Sequence, residues 1–508
     1  MRALSERRWW ETRWFALAAV LLGALPLLWP AVPPLVDLPG HLGRYHVAAS
    51  LATSPELQRH WTYQWRWIGN LGVDLAVLPL VPLLGVELAT KLVVLAIPAL
   101  TIAGLILVSR EGGGGRLAPA APFAFPLAYG FPFQFGFVNF ALSAALALLA
   151  LALWMRLARD GRLRLRALLF VPIALLLWTA HCFGWAMFGL FAFGSELATL
   201  RAAGVIWTRA ILRAGLRCLL LTGPVIPMLA GGASGDGHLN ASWEWRAKIG
   251  WLASLLREQW PTYDFLAVLV LALLCWAGLR SALLRVDRPL AWAAAVGALA
   301  WLLLPYRLLG GAYVDMRMAP YVVALLIVAI RPRAARHGAA LATAATAFFL
   351  LRVTTTTWVF VGAAAAQEQA AAVETALPRG AAVLVAVRTS CIEWSAQRLA
   401  HVAGFALARR DVFDNSEWTL AGQQLLRDRH PHAGVYRADP SQLIYDPSCA
   451  LSPAGLPRML RDFDRGTFDH VWILGFRPTH LPADLIEVAR SGPSILYRVR
   501  RPADKRLP

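Results

Sequence analysis

A short segment near the N-terminus, VDLPGHLGRYH at positions 36–46, combines residue types that carry out acid–base chemistry. Asp37 and His41 are four residues apart and share one face of a helix, where the carboxylate could act as a general base or the pair could bind a divalent cation. The structural alternative is that Asp37 caps a helix with Pro39 in its first turn and that His41 is an ordinary interfacial histidine. Capping does not explain the grouping of Asp37 with His41 and Arg44. We therefore predict catalytic roles for Asp37 and His41, and substrate binding by Arg44.

Four residues farther along the chain are predicted to bind substrate: His181, Arg307, Asp315 and Arg317. The two arginines lie in a loop between apolar runs, and guanidinium groups at a membrane surface suit bidentate contacts with phosphate. An Asp315–Arg317 salt bridge or a lipid headgroup contact is the structural alternative. A lone histidine such as His181 is more often a hydrogen-bonded packing residue, but its predicted depth in the membrane matches that of His41.

The composition indicates the kind of scaffold that must position these residues. The chain has 508 residues, of which 58% are hydrophobic and only 16% charged, and its mean hydropathy is +0.53. These values exclude an ordinary soluble enzyme, in which about a quarter of the residues are charged. The net charge of +19 comes from arginines in short clusters between long apolar runs. This pattern indicates membrane topology, and we expect no nucleic-acid partner.

Hydropathy and the arginine clusters together predict about 11 membrane spans. The N-terminal arginines place the N-terminus in the cytoplasm, and the later clusters agree if 71–84 does not cross and 33–90 forms one large outer loop. The predicted spans lie near 14–32, 91–109, 118–132, 138–155, 167–184, 185–200, 214–230, 263–280, 289–305, 318–330 and 338–358. We expect a multi-pass protein of a bacterial inner membrane, with the lipid bilayer as one partner.

The C-terminal part of the sequence is more polar than the rest. Strands are predicted at 381–387, 470–476 and 494–499, with an amphipathic helix at 481–489. Cys391 and Cys449 could form a disulfide if this part is extracytoplasmic. The predicted fold class is mainly α: a polytopic transmembrane helical bundle, residues 1–361, with a small extracytoplasmic α/β domain, residues 362–508.

This arrangement resembles the GT-C superfamily of polytopic glycosyltransferases. The resemblance is carried by a cytoplasmic N-terminus, one span, a large first outer loop beginning with an acidic residue, many further spans and a C-terminal extracytoplasmic domain. The superfamily includes protein O-mannosyltransferases, aminoarabinose transferases and oligosaccharyltransferases. An Asp of the first outer loop is catalytic in these enzymes and corresponds by position to Asp37. Many members have an Asp-Glu or Asp-x-Asp pair, whereas here Asp37 stands between Val36 and Leu38.

The resemblance implies an enzyme that moves a sugar from a polyprenyl-phosphate carrier to a glycan, lipid or protein acceptor at the extracytoplasmic face. Asp37 would deprotonate or orient the acceptor hydroxyl, and Arg317, with Arg307, would stabilise the departing phosphate. The cofactor is left open, with a divalent cation as one candidate.

The alternative is a protein without enzymatic activity: a transporter or flippase of lipid-linked glycans, or a membrane scaffold. A transporter should carry ionisable residues through the middle of its spans. Most spans have none, and Arg352 is the main exception. The sequence therefore favours the enzyme.

Overall fold

The structure is a computed structural model that describes residues 8–230, 241–308, 311–420, 424–446, 449, 455–478 and 480–501. Its α-helices are α1 (Arg13–Ala24), α2 (Leu38–Ser50), α3 (Pro55–His60), α4 (Gly72–Val77), α5 (Val81–Gly112), α6 (Phe131–Phe135), α7 (Val138–Arg159), α8 (Leu163–Ala180), α9 (Cys182–Ala202), α10 (Trp207–Cys218), α11 (Val225–Ala230), α12 (Trp245–Ala253), α13 (Pro261–Arg280), α14 (Arg288–Leu303), α15 (Val314–Ala329), α16 (Arg336–Ala371), α17 (Gly404–Arg410) and α18 (Leu456–Asp462). Its strands are β1 (Trp61–Tyr63), β2 (Leu284–Val286), β3 (Ile330–Pro332), β4 (Ala382–Thr389), β5 (Phe413–Asp414), β6 (Leu426–Asp428), β7 (Leu443–Tyr445), β8 (His470–Leu474), β9 (Leu485–Ser491) and β10 (Ser494–Val499).

The described residues divide into two compact units. The first unit comprises those within Met1–Leu28, Trp67–Val73 and Val94–Val359, and the second those within Trp29–Arg66, Asp74–Val93 and Phe360–Pro508. The first unit is almost entirely helical, whereas the second contains a mixed β-sheet.

Several helices have the length and composition of membrane spans. Among the described residues, six helices are long and apolar enough to cross a bilayer: Gly72–Gly112, Val138–Arg159, Leu163–Ala180, Cys182–Ala202, Pro261–Arg280 and Arg336–Ala376. Two shorter apolar helices cover Arg13–Leu27 and Arg288–Leu303. The chain is a multi-pass membrane protein, as the sequence predicted.

Residues 118–132, predicted as a span, have a more broken structure than hydropathy indicated, and residues 71–84, predicted not to cross, are also broken. Residues 118–132 form a 3-10 helix, Ala121–Tyr129, followed by the short α6, and neither has spanning length. Pro122, Pro126 and Pro132 remove the amide donors that a continuous α-helix would need here. Residues 71–84 contain α4, a 3-10 turn and the first residues of α5. The helical path of α5 is interrupted just after them, at Gly85, whose φ is 72°. This stretch is shorter than the roughly 20 residues that a crossing requires.

The helices of the first unit pack closely through small residues. α9 packs against α7, α8, α10 and α14, and α14 also packs against α15. A Cβ atom on Gly194 of α9 would lie 2.6 Å from the Trp292 carbonyl oxygen of α14. Such close backbone approach is the usual means of helix association in a bilayer, where burial of apolar surface provides little driving force.

The second unit is built on a six-stranded sheet. Its order is β5-β4-β8-β10-β9, with β7 also paired to β4. β4 runs parallel to β5, β7 and β8, whereas β10 is antiparallel to β8 and β9. The three predicted strands correspond to β4, β8 and β10, and Cys391 and Cys449 form a disulfide.

The predicted amphipathic helix at 481–489 is wrong, because β9 occupies most of this region. β9 has the sequence LIEVARS, contains the β-branched residues Ile486 and Val488, and pairs with β10 along its length. Its hairpin with β10 turns at Gly492, whose φ is 52°. The fold class predicted from the sequence, a helical membrane bundle with C-terminal α/β structure, is confirmed.

Candidate functional site

Asp37 lies immediately before α2 in the second unit and is 6% exposed. It occupies the N-cap position, but its side chain makes no capping hydrogen bond. One carboxylate oxygen, Oδ1, lies 3.7 Å from Nε2 of His401 instead. The capping alternative therefore does not account for this carboxylate.

His401 is held in one orientation by a backbone carbonyl. Its Nδ1 lies 3.0 Å from the Ser416 carbonyl oxygen, which can only accept, so the neutral ring carries its proton on Nδ1. Nε2 then has an unshared electron pair, and it lies 3.7 Å from Oδ1 of both Asp37 and Asp439. Burial lowers the pKa of His401, partly offset by the Asp439 carboxylate. The ring is therefore neutral at rest and can accept a proton at Nε2.

The segment whose Ser416 carbonyl holds His401 leaves the sheet at a gap in the strand pairing of β4. β4 pairs with β5 at Val383 and with β7 from Val387 onward, so no strand pairs with Val385 on that side. The side-chain amide of Asn415 fills this gap: its Oδ1 accepts from Val385 N at 2.7 Å, and its Nδ2 donates to Val385 O at 3.3 Å. The chain leaves the sheet there, at the carboxyl end of a parallel strand, which is where α/β sheets commonly build their sites.

Glu417, in the same segment, is a buried carboxyl group whose loss of water is not compensated by hydrogen bonds to its side-chain oxygens. It is 1% exposed, and neither side-chain oxygen accepts a hydrogen bond from any described residue. Its Oε1 lies against the glycine face of α2, where a Cβ atom on Gly43 would approach it to 3.0 Å and one on Gly40 to 3.5 Å. Burial raises the pKa of Glu417 well above its ordinary value, and nearby Asp414 adds to the rise.

Trp418 completes the surroundings of His401. Its ring centroid lies 4.3 Å from that of His401 and 5.0 Å from that of His41. His41 therefore lies beside Trp418, on the helix that Asp37 precedes. Arg44, one turn farther along α2, is buried and donates to both Asp74 oxygens at 3.0 Å and to Gln424, so these partners occupy its guanidinium.

The first unit contains a second polar group, His181 with Arg317. Nδ1 of His181 accepts a hydrogen bond from the Phe183 amide at 3.1 Å, so the neutral ring carries its proton on Nε2. That Nε2 lies 3.4 Å from Nη1 of Arg317, and the guanidinium N–H is directed at the ring nitrogen. A guanidinium group beside a second N–H group is suited to bind an anion. The guanidinium is flanked by the rings of Phe137 at 4.2 Å and Phe183 at 5.4 Å.

Asp315 and Arg307 do not join this pair. Asp315 is completely buried, and its Oδ2 accepts from Lys248 Nζ at 3.1 Å while its Oδ1 accepts from the Met316 amide. The salt bridge considered from the sequence, Asp315 with Arg317, is replaced by Asp315 with Lys248. Arg307 is exposed, and its backbone pairs with Ser242.

The sequence did not indicate His401, Glu417, Asp439 or Lys248 as important residues. The available signal was the polar run DNSEW at 414–418, directly after a short apolar stretch in a region of alternating strands and helices. Among the described residues, no group of three His, Cys, Asp or Glu side chains is arranged to hold a metal ion.

Comparison with known proteins gives one informative result. No protein-family model matches the sequence, and no curated protein sequence matches it. The structure is similar to the crystal structure of ArnT from Cupriavidus metallidurans bound to undecaprenyl phosphate, with a TM-score of 0.54 and 12% sequence identity. The similarity covers 95% of this chain and 97% of ArnT. This chain therefore has the polytopic fold of ArnT, and a fold of this kind is what the resemblance in its sequence predicted.

Proposed function

We propose that this protein is a membrane glycosyltransferase that moves a sugar from a polyprenyl-phosphate carrier to an acceptor at the extracytoplasmic face. The observation that carries the proposal is the buried Asp37 carboxylate beside the unprotonated Nε2 of His401. The fold of ArnT, whose structure was determined with undecaprenyl phosphate, supports a lipid-linked donor.

The chemistry assigned to Asp37 is general-base catalysis. Asp37 accepts the proton of the acceptor hydroxyl as the oxygen attacks the anomeric carbon, through a transition state with oxocarbenium character. The bond between the anomeric carbon and the phosphate oxygen breaks, and the phosphate leaves with the electron pair. His41 lies beside Trp418 on the helix that Asp37 precedes, where it can orient the acceptor.

In the first unit, Arg317 and His181 are assigned to the phosphate of the donor. Nη1 of Arg317 and Nε2 of His181 are 3.4 Å apart, and a phosphate oxygen bound there would accept from both side chains in place of their contact with each other. Donors fixed in advance stabilise charge that develops in the transition state. Lys248 already neutralises Asp315, so we give Asp315 the role of holding the start of α15, which carries Arg317.

The proposed orientation is the one that the arginine clusters predict: a cytoplasmic N-terminus and an extracytoplasmic C-terminal region in a bacterial inner membrane. The Cys391–Cys449 disulfide supports this proposal, because disulfides persist in oxidising compartments.

The ion pairs of Arg352 favour an enzyme over a transporter. Its Nη1 donates to Asp264 at 2.8 Å, its Nη2 donates to the Leu256 carbonyl, and Glu258 lies 3.7 Å away. The charge in α16 is thus bound to fixed partners, whereas a transport pathway needs ionisable groups that face a water-filled cavity.

The test of the function is transfer of a labelled sugar from polyprenyl phosphate by membranes that contain the protein. We expect Asp37→Asn to lower the rate by about 10²–10⁴-fold, the usual contribution of a general base, without reducing the amount of inserted protein. Asp462→Asn, in an exposed ion pair on α18, is the matched control and should retain full activity. Wild-type activity in the Asp37→Asn variant would refute the assignment.

The phosphate assignment has its own test. Arg317→Gln should lower kcat by about 10²-fold, because it removes a charged donor from the developing phosphate charge. Arg209→Gln, an exposed arginine on α10, is the control. Equal kcat values for the Arg317→Gln variant and the wild type would exclude Arg317 from the reaction.

A further inference from the structure

His401 occupies an unusual electrostatic position. Its Nε2 electron pair faces two carboxylate oxygens, each at 3.7 Å, while its other nitrogen is committed to the Ser416 carbonyl. An electron pair that faces two negative oxygens is repulsive, and one proton placed on Nε2 converts both contacts into attraction. The resting arrangement therefore has a place for a proton on Nε2, between Asp37 and Asp439.

Several contacts keep the ring in this place. Oδ1 of Asp414 accepts from the Ser416 amide at 2.8 Å and so fixes the turn whose carbonyl holds His401. Trp418 lies against the ring, and His401 is only 4% exposed. Oδ1 of Asp439 accepts from Gln442 Nε2 at 2.9 Å, which orients the second carboxylate.

We propose that His401 takes up, through Asp37, the proton that leaves the acceptor hydroxyl during sugar transfer. The inference rests on the proposed function and adds a residue to it: His401 sets the basicity of Asp37 and stores its proton.

The proton and electron balance of the step is complete without another reactant. The acceptor O–H bond breaks as its oxygen bonds to the anomeric carbon, and the carbon–phosphate oxygen bond breaks with its electron pair going to the polyprenyl phosphate. The proton passes from the acceptor to Asp37 and then to Nε2 of His401. The imidazolium is stabilised by Asp37 and Asp439, and it returns the proton to solvent after the products leave.

Two carboxylates face Nε2 of His401: Asp37, immediately before α2, and Asp439, in the loop before β7. Asp439 raises the pKa of His401, whereas Asp414 and Glu417, in the segment packed beside it, are carboxyl groups whose own pKa values are raised by burial. Two nearby arginines have other partners: Arg44 of α2 binds Asp74, and Arg398, three residues before His401, donates to the Pro34 carbonyl. The 3.7 Å separations exceed hydrogen-bond length, as is common for catalytic groups before substrate binds.

The test compares His401→Asn with the wild type in the transfer assay over a range of pH. Asn retains an amide donor for the Ser416 carbonyl but has no group that titrates. We expect kcat to fall about 10–100-fold, with the donor KM within about threefold of the wild-type value. The fall in rate at acidic pH that comes from protonation of His401 should disappear. His432→Asn, an exposed histidine in the same unit, is the control and should change neither quantity.

Asp439→Asn gives a second measurement that does not require His401 to be replaced. Since the Asp439 carboxylate raises the pKa of His401, its removal should move the acidic limb of the pH–rate profile to lower pH and reduce kcat. An unchanged kcat and acidic limb in both variants, with Asp37→Asn inactive, would overturn this inference and leave the proposed function intact. If the wild type transfers no sugar, or transfers it no faster than the Asp37→Asn variant, the proposed function itself fails.

Discussion

Buried carboxyl groups in this protein differ in how their oxygens are satisfied, and the contrast is sharpest between the ion pairs of the first unit and Glu417 in the second. In the first unit, both oxygens of Asp264 and of Glu258 accept hydrogen bonds, and the carboxylate of Asp315 accepts from Lys248 and a backbone amide. In the second unit, neither oxygen of Glu417 accepts a hydrogen bond from a described residue, and Asp37 faces an unprotonated histidine nitrogen.

The hydrogen bonds that a buried carboxyl group accepts therefore distinguish a structural group from a functional one better than its charge does. A buried ion costs several kcal/mol unless its partner and its hydrogen bonds compensate the loss of water. The ion pairs of Asp264 and Asp315 in the first unit meet that condition, and so does Asp74 with Arg44 in the second, so these pairs hold elements together. Glu417 in the second unit does not meet it, and perturbed titratable groups whose burial is not compensated are characteristic of sites where protons move.

The largest loss of stability is expected from a substitution that breaks a buried ion pair whose hydrogen bonds are satisfied. Lys248→Met leaves the completely buried Asp315 without its cation, and breaking a buried pair in this way costs roughly 3–5 kcal/mol. We expect a lower thermal midpoint of the purified protein in detergent.

A double variant shows whether the ion pair itself is responsible. Lys248→Met combined with Asp315→Leu removes both charges, and apolar replacement of a whole buried pair is often close to neutral. Its thermal midpoint should return to near the wild-type value. If the double variant is as unstable as the single one, Lys248 stabilises the protein through its bonds to the Trp301 and Leu304 carbonyls instead.

Much of the membrane architecture and half of the candidate site were predictable from the sequence. Apolar length identified α7, α8, α9, α13 and α14 with bounds close to those observed, because bilayer thickness sets the length of a span. Asp37 was identifiable because its neighbours form a polar cluster in an otherwise apolar region. The 3-10 helix Ala121–Tyr129 was missed because hydropathy does not register the amide donors that proline removes.

The partners of Asp37 could not be predicted because they depend on tertiary packing. α2 and α17 approach so closely that a Cβ atom on Gly404 would lie 2.1 Å from the Pro39 carbonyl oxygen. This contact and the Asn415 side chain at the β4 edge together bring His401 and Glu417 beside a segment hundreds of residues earlier in the chain. No periodicity in the sequence encodes either feature.

A smaller effect is expected from the uncompensated carboxyl group, Glu417. Burial raises its pKa in the folded protein, so the folded state binds this proton more tightly than the unfolded state does. The resulting stabilisation is complete below the ordinary glutamate pKa and is lost as the pH rises through the folded-state value. Glu417→Gln keeps the shape of the neutral carboxyl group and removes its titration. We therefore expect this variant to exceed the wild type in stability by about 1–3 kcal/mol at pH 8, and to match it near pH 4.

Thermal midpoints of both proteins between pH 4 and pH 8 measure this difference, with Glu393→Gln, an exposed glutamate of the same unit, as the control. The control should change stability by less than about 0.5 kcal/mol at every pH, as surface substitutions usually do. A stability difference for Glu417→Gln that does not change with pH would mean that Glu417 is not titrating in this range. A loss of stability at pH 8 would mean that the ionised carboxylate is compensated in the folded protein, and the contrast between the two units would then no longer distinguish structural from functional charges.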